Sequence, residues 1–176
     1  MGSEAALTTA PIFQVRAVGS FEQKPGCPED AVGALSAGQL DYLCQGECYN
    51  PGDERRSISR IEVVRIRPQT HADDAVESLI EDPWRTLPCP GTTEGCQVAF
   101  TDPDFIESGQ DTVYYVRAIE SPSRAVGADP LGCKQDRNGR CIEIDPCNEK
   151  SEDDECLSET EQRAWSSPIF VDQKPS

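Results

Sequence analysis

The chain is poor in basic residues: 16 lysines and arginines stand against 32 aspartates and glutamates in 176 residues, a formal net charge of −16. A surface so negative repels phosphate backbones and anionic lipid, which argues against nucleic acid and against membrane surfaces as partners. There is one histidine, His71, which argues against most histidine-dependent metal chemistry and leaves any thiol nucleophile only one imidazole base. No apolar run approaches the roughly 20 residues needed to span a bilayer. The serine-hydrolase elbow, the phosphate-binding Walker loop, the dinucleotide fingerprint and the zinc-protease HExxH pattern are all missing. So is the Asn-x-Ser/Thr acceptor for glycans, and residues 1–10 have neither the basic nor the apolar segment of an export signal.

Cysteine is the residue type the chain has in excess. Nine in this length point to disulfides in an oxidising compartment, periplasmic or extracellular. They fall into three groups: Cys27, Cys44 and Cys48; Cys89 and Cys96; and Cys133, Cys141, Cys147 and Cys156. Cys89 and Cys96 flank a Pro/Gly turn between two strand candidates, a span that a hairpin-closing disulfide can bridge. The economical assignment adds two bridges in the last group and one in the first, with one of Cys27, Cys44 or Cys48 left over. Pairing within groups is not legible from spacing. Zinc competes, since Cys44-x3-Cys48 has ligand spacing, but there is no CxxC pair to support it. Cysteines without an export signal suggest a fragment of a longer exported protein.

The hydropathy pattern is that of strands. Ile12–Val18 alternates, with Phe13, Val15 and Ala17 on one face. Arg60–Arg67 (RIEVVRIR) is β-branched and ends at Pro68. Trp84–Leu87, Cys96–Phe100 and Thr112–Glu120 follow, and Arg163–Val171 closes the set with Pro168 marking an edge or a bulge. Ser36 and Gln39 have capping-box spacing ahead of a short N-terminal helix that places Leu40 and Leu43 on one face. Gln69–Asp82 reads as a loop or short helical turn. Residues 121–162 carry four cysteines and the acidic run EDDE, with little that could fill a core, and read as a long disulfide-tied insertion before the last strand.

These elements predict an all-β, antiparallel sandwich of fibronectin type III or immunoglobulin-like kind, with one domain over 1–176: a first strand and helical cysteine segment (11–59), central strands (60–120), the insertion (121–162) and a last strand (163–172). Tyr114, Tyr115, Trp84 and Trp165 are expected to pack in its core or at a tyrosine corner. Asp136-x-Asn138-Gly139 has part of a calcium-loop pattern, but Lys134 stands at the first ligand position and Asp145 at the twelfth, so a glycine turn is the expected structure. Asp102 and Asp104 are read as turn residues.

Thr112–Glu120 and Arg163–Val171 resemble the sixth and seventh strands of a fibronectin type III domain. RIEVVRIRPQ (Arg60–Gln69), IEDPWRTLPCP (Ile80–Pro90), DTVYYVRAIE (Asp111–Glu120) and RAWSSPIFVD (Arg163–Asp172) together resemble the C-terminal region of the bacterial domain-of-unknown-function family 3604, over nearly the whole chain. That resemblance implies an exported parent whose larger N-terminal part is like the polymerase-and-histidinol-phosphatase superfamily of metal-dependent phosphoesterases. With one histidine, the present chain would not carry that metal centre. The expected function is that of a non-catalytic, disulfide-stabilised accessory domain that has no cofactor and packs against the catalytic part of its own parent chain. The alternative is a free-standing secreted binding module, calcium-assisted through its acidic insertion.

Overall fold

The computed structural model describes residues 2–44, 48–126, 134–144 and 157–174. Strands dominate. In chain order they are β1 (Ser3–Leu7), β2 (Ile12–Ala17), β3 (Phe21–Gln23), β4 (Pro51–Arg55), β5 (Ile58–Ile66), β6 (Ile80–Pro88), β7 (Cys96–Thr101), β8 (Thr112–Glu120), β9 (Ser123–Val126), β10 (Lys134–Gln135), β11 (Cys141–Glu143), β12 (Leu157–Thr160), β13 (Arg163–Trp165) and β14 (Ile169–Gln173). Four short helices interrupt them: α1 (Glu29–Ala34), α2 (Ala37–Cys44), α3 (Val76–Leu79) and α4 (Asp104–Ser108).

The main sheet runs β1-β14-β8-β5-β6, with β13 also on β8. Its centre is the β5–β8 pair, in which Ile61 lies opposite Ala118, Val63 opposite Val116 and Arg65 opposite Tyr114. β2 and β7 form a separate ribbon in unbroken antiparallel register from Ile12↔Thr101 to Ala17↔Cys96. The apolar side of that ribbon packs on the main sheet, giving two β layers. Phe13 stacks on Phe100 at 4.8 Å and meets Tyr114 at 4.7 Å. Ile58, Ile61 and Cys96 make one core cluster, and Phe105, Tyr114 and Val171 a second, closed by Leu7, Phe13, Trp84 and Ile169. Each such side chain contributes about 1.5–3 kcal/mol by leaving water.

The structure departs from the expectation in several places. The sheet is mixed rather than wholly antiparallel, because β1 pairs parallel with β14. Its sequence, SEAAL, has weak strand propensity, and the edge of β14 supplies the order that propensity does not. The final strand is two pieces. Pro168 has no N–H to give the ladder, and between β13 and β14 the Ser166 side chain takes over, accepting the Val116 N–H at 3.1 Å. Beside the one N-terminal helix expected, the described residues hold three more short helices. The capping box at α2 forms: Gln39 N–H donates to Ser36 Oγ at 3.4 Å and Ser36 N–H to Gln39 Oε1 at 2.9 Å. α1 precedes α2, α3 is the short helical turn expected within Gln69–Asp82, and β6 begins at Ile80, four residues ahead of the strand read from sequence. The insertion leaves and returns as an antiparallel ribbon, β9 on β12.

Candidate functional site

Ile61, Val63 and Arg65 alternate along β5, so they share the face that meets the ribbon. Ile61 and Val63 belong there. Arg65 is a cation set in the core, 3% exposed, and burying a charge is costly unless it is paired and hydrogen-bonded.

Its neighbours meet every requirement. Arg65 Nη1 donates to both oxygens of Asp102 at 2.9 Å and reaches Asp104 Oδ2 at 3.4 Å. Arg65 Nε and Nη2 form a fork on Glu81, at 2.5 and 2.9 Å. The guanidinium carbon lies 4.3 Å from the centre of the Trp84 ring, with Arg85 at 4.4 Å from the same ring. Asp102, fully buried, also accepts the Tyr114 hydroxyl at 2.6 Å and the Asp104 N–H at 3.0 Å. β5, β6, β7 and β8 are thus tied at one point.

The electrostatics follow from these contacts. Burial pushes the Asp102 carboxyl up, but the Tyr114 hydroxyl and the Arg65 guanidinium outweigh it and hold the group below the ordinary aspartate value. Burial opposes the charge on Arg65, and Glu81 and Asp102 more than restore it. The Tyr114 phenol is pushed well up, first by burial and then by the adjacent carboxylate. At neutral pH Asp102 and Arg65 are charged and Tyr114 is neutral. The donors of Arg65 are already engaged. This arrangement is a clamp that ties β5, β6 and β8 to the end of β7.

A second ion network lies on the opposite face of β5. Arg60 forks onto Glu161 at 2.6 and 2.7 Å and donates to Glu62 at 2.8 Å. Arg117 bridges Glu62, at 2.9 Å, and Asp82. The hydrogen bond from Arg60 holds Glu62 below its usual range. Glu161 lies near the end of the insertion, so this network fastens that end to the sheet.

The residues singled out by sequence are scattered. Cys27 is bonded to Cys48 and Cys89 to Cys96. Cys141 is also disulfide-bonded. Cys44 ends α2. Cys133, Cys147 and Cys156 lie outside the described residues, as do Asp145 and the EDDE run. The Cys89–Cys96 bridge closes a turn at Gly95, whose φ is 101° and where an added Cβ would stand 2.4 Å from the Ala17 carbonyl oxygen, so only glycine fits. Asp136 forms a turn: its Oδ1 accepts the N–H groups of Asn138 (2.8 Å) and Arg140 (3.0 Å). Asp102 and Asp104 do form an aspartate turn, but Asp102's larger role, as the buried counter-ion, was not anticipated. His71 sits on the surface, its Nδ1 3.1 Å from Thr70 Oγ1 and 3.9 Å from Asp74 Oδ1. Tyr114 and Trp84 pack inside, whereas Trp165 is 60% exposed. No helix among the described residues is long and apolar enough to cross a membrane. No family model, no curated protein and no solved structure matches this chain.

Proposed function

We propose that this chain is a non-catalytic, disulfide-stabilised accessory module of fibronectin type III or immunoglobulin-like sandwich type, part of a larger exported protein of hydrolase-like character and packed against that parent's catalytic portion. The observation that carries the reading is the saturation of the Arg65–Asp102–Tyr114 clamp. The buried charges of Arg65 and Asp102 and the Tyr114 hydroxyl are committed to one another and to Glu81, which is how a scaffold uses buried charge. The two β layers and the antiparallel ribbon of β2 and β7 support the sandwich type. The bonded cysteines are compatible with a periplasmic or extracellular location. The resemblance of four ordered blocks to family 3604 supports the parent.

The native reading frame tests this. A frame that stays open upstream of Met1 into histidine-rich, metal-binding motifs is the expected result. A start codon with its ribosome-binding site at Met1 would sink the accessory reading.

A further inference from the structure

The two strands of the β2–β7 ribbon are not equally covered. On β7, the inward Cys96 and Phe100 are buried, at 3% and 5% exposure, and Val98 between them is half-buried. On β2, the inward Phe13, Val15 and Ala17 are only half-buried. The side of the two-layer core next to β2 is therefore open. A groove of about 240 Å³ runs there, lined by Phe13, Val15, Phe100, Val116, Ser166 and Ile169. Its lining is mainly apolar, and it is smaller than the sites that usually take drug-sized molecules, about 300–1,000 Å³. It has room for a few side chains.

The backbone beside the groove is equally open. β2 pairs with β7 along one edge, and its other edge meets no strand among the described residues. Alternate residues of an edge strand direct N–H and C=O groups outward, a template for another strand. One edge of the main sheet is blunted. β6 carries Pro83 and Pro88 and has a register shift against β5 between Val63 and Arg65. β2 has neither proline nor bulge across its six residues. Gln14 and Arg16, which alternate with Phe13 and Val15, are exposed and also line the groove, adding polar contacts to its mainly apolar lining.

We propose that β2 and its groove receive an extended polypeptide strand from a partner. The strand would add to the edge through main-chain hydrogen bonds and seat alternate apolar side chains against Phe13 and Val15. Charge selects the partner. Docking onto a chain of net charge −16 favours a strand with lysine or arginine at its outward positions, and it disfavours a second copy, which brings an equal negative charge. This inference does not depend on the existence of a parent protein. The partner strand can come from any chain of that chemistry.

The test uses the intact, oxidised chain with a panel of blocked nine-residue peptides. In the panel, Val, Ile, Leu or Phe alternates with Lys or Thr. Two controls accompany each peptide: a scramble of the same composition, and a version with proline at two central positions. Amide hydrogen exchange and nitrogen–proton spectra report on residues 12–17. The expected result is saturable binding by at least one alternating peptide and about tenfold slower exchange of the outward β2 amides. Binding should weaken with added salt and be lost with the proline version and the scramble. Silence of the whole panel at about 1 mM peptide overturns the proposal. Equal binding of the scramble also overturns it, because that is charge attraction without strand addition. Protected β2 amides in a sedimenting dimer without peptide would assign the edge to a second copy and overturn it too. A start codon at Met1 would remove the parent reading and leave this outcome untouched.

Discussion

The body formed by the two β layers and the excursion between β3 and β4 are held together by different means. In the body, Ile61, Val63, Val64 and Phe105 are at 0% exposure, and β5 is paired on both edges. In the excursion, α1 has no buried residue, and Val32, Tyr42, Leu43 and Tyr49 are exposed. What secures the excursion is the Cys27–Cys48 bridge, the short β3–β4 pairing and a few polar contacts, such as the Asn50 side chain to the Pro25 carbonyl at 3.2 Å. One region is ordered by removing surface from water. The other is ordered mainly by a covalent tie that limits the conformations of its unfolded chain.

The sharpest way to break this contrast is at the clamp. Asp102→Ala leaves Arg65 buried without its main counter-ion and is expected to destabilise the body by about 3–5 kcal/mol. Urea denaturation measures it. Arg65→Met combined with Asp102→Leu should cost less than either single change, because no orphan charge remains. If the double variant is as damaged as the sum of the singles, the clamp is not a unit.

Core packing comes next. Ile61→Ala should cost about 2–5 kcal/mol, whereas Leu43→Ala, in the excursion and 64% exposed, should stay within about 0.5 kcal/mol. Thermal unfolding separates the two, and a comparable drop for both would erase the distinction between regions.

The disulfides sharpen it further. Cys96 belongs to the core cluster, so replacing Cys89 and Cys96 by serine should lower global stability by about 2–4 kcal/mol. Replacing Cys27 and Cys48 should instead expose residues 24–50 to limited proteolysis while the unfolding midpoint of the body moves little. Peptide mapping after brief digestion tells these outcomes apart.

The smallest effect is that of acid. Asp102 has a folded pKa below its ordinary value, so its contribution is full above the unfolded value of about 4. The contribution is lost as pH falls through the folded value. Stability of the wild type should therefore decline below about pH 4 more steeply than that of Asp102→Asn. Parallel curves would mean that other carboxylates govern acid unfolding.

Much of the strand arrangement was legible because period-two alternation reports a half-buried sheet. Thr112–Glu120 has the same bounds in sequence and structure, and Ser36 and Gln39 make the predicted capping box. β1 was not legible, because the order of SEAAL comes from β14, over 160 residues away. The clamp was half visible. An arginine in phase with Ile61 and Val63 signals a buried cation in need of a carboxylate. Asp102, at the end of CQVAFTD, is apolar in its surroundings only once β7 lies on the main sheet. Its distance from Arg65, 37 positions along the chain, hides the pair from any local pattern. The groove beside β2 left no mark in the sequence, since it lies along an edge that pairs with no strand among the described residues.

The parallel pairing of β1 with β14 also has a mechanical meaning. Tension applied at Ser3 and Gln173 pulls the two strands past each other along their length. The five register pairs, Ser3↔Ile169 to Leu7↔Gln173, then carry the load together instead of parting one after another as in a zipper. The fold is thereby built to resist stretching between its first and last strands, and a tethered domain pulled from both ends would yield at that seam in a single rupture.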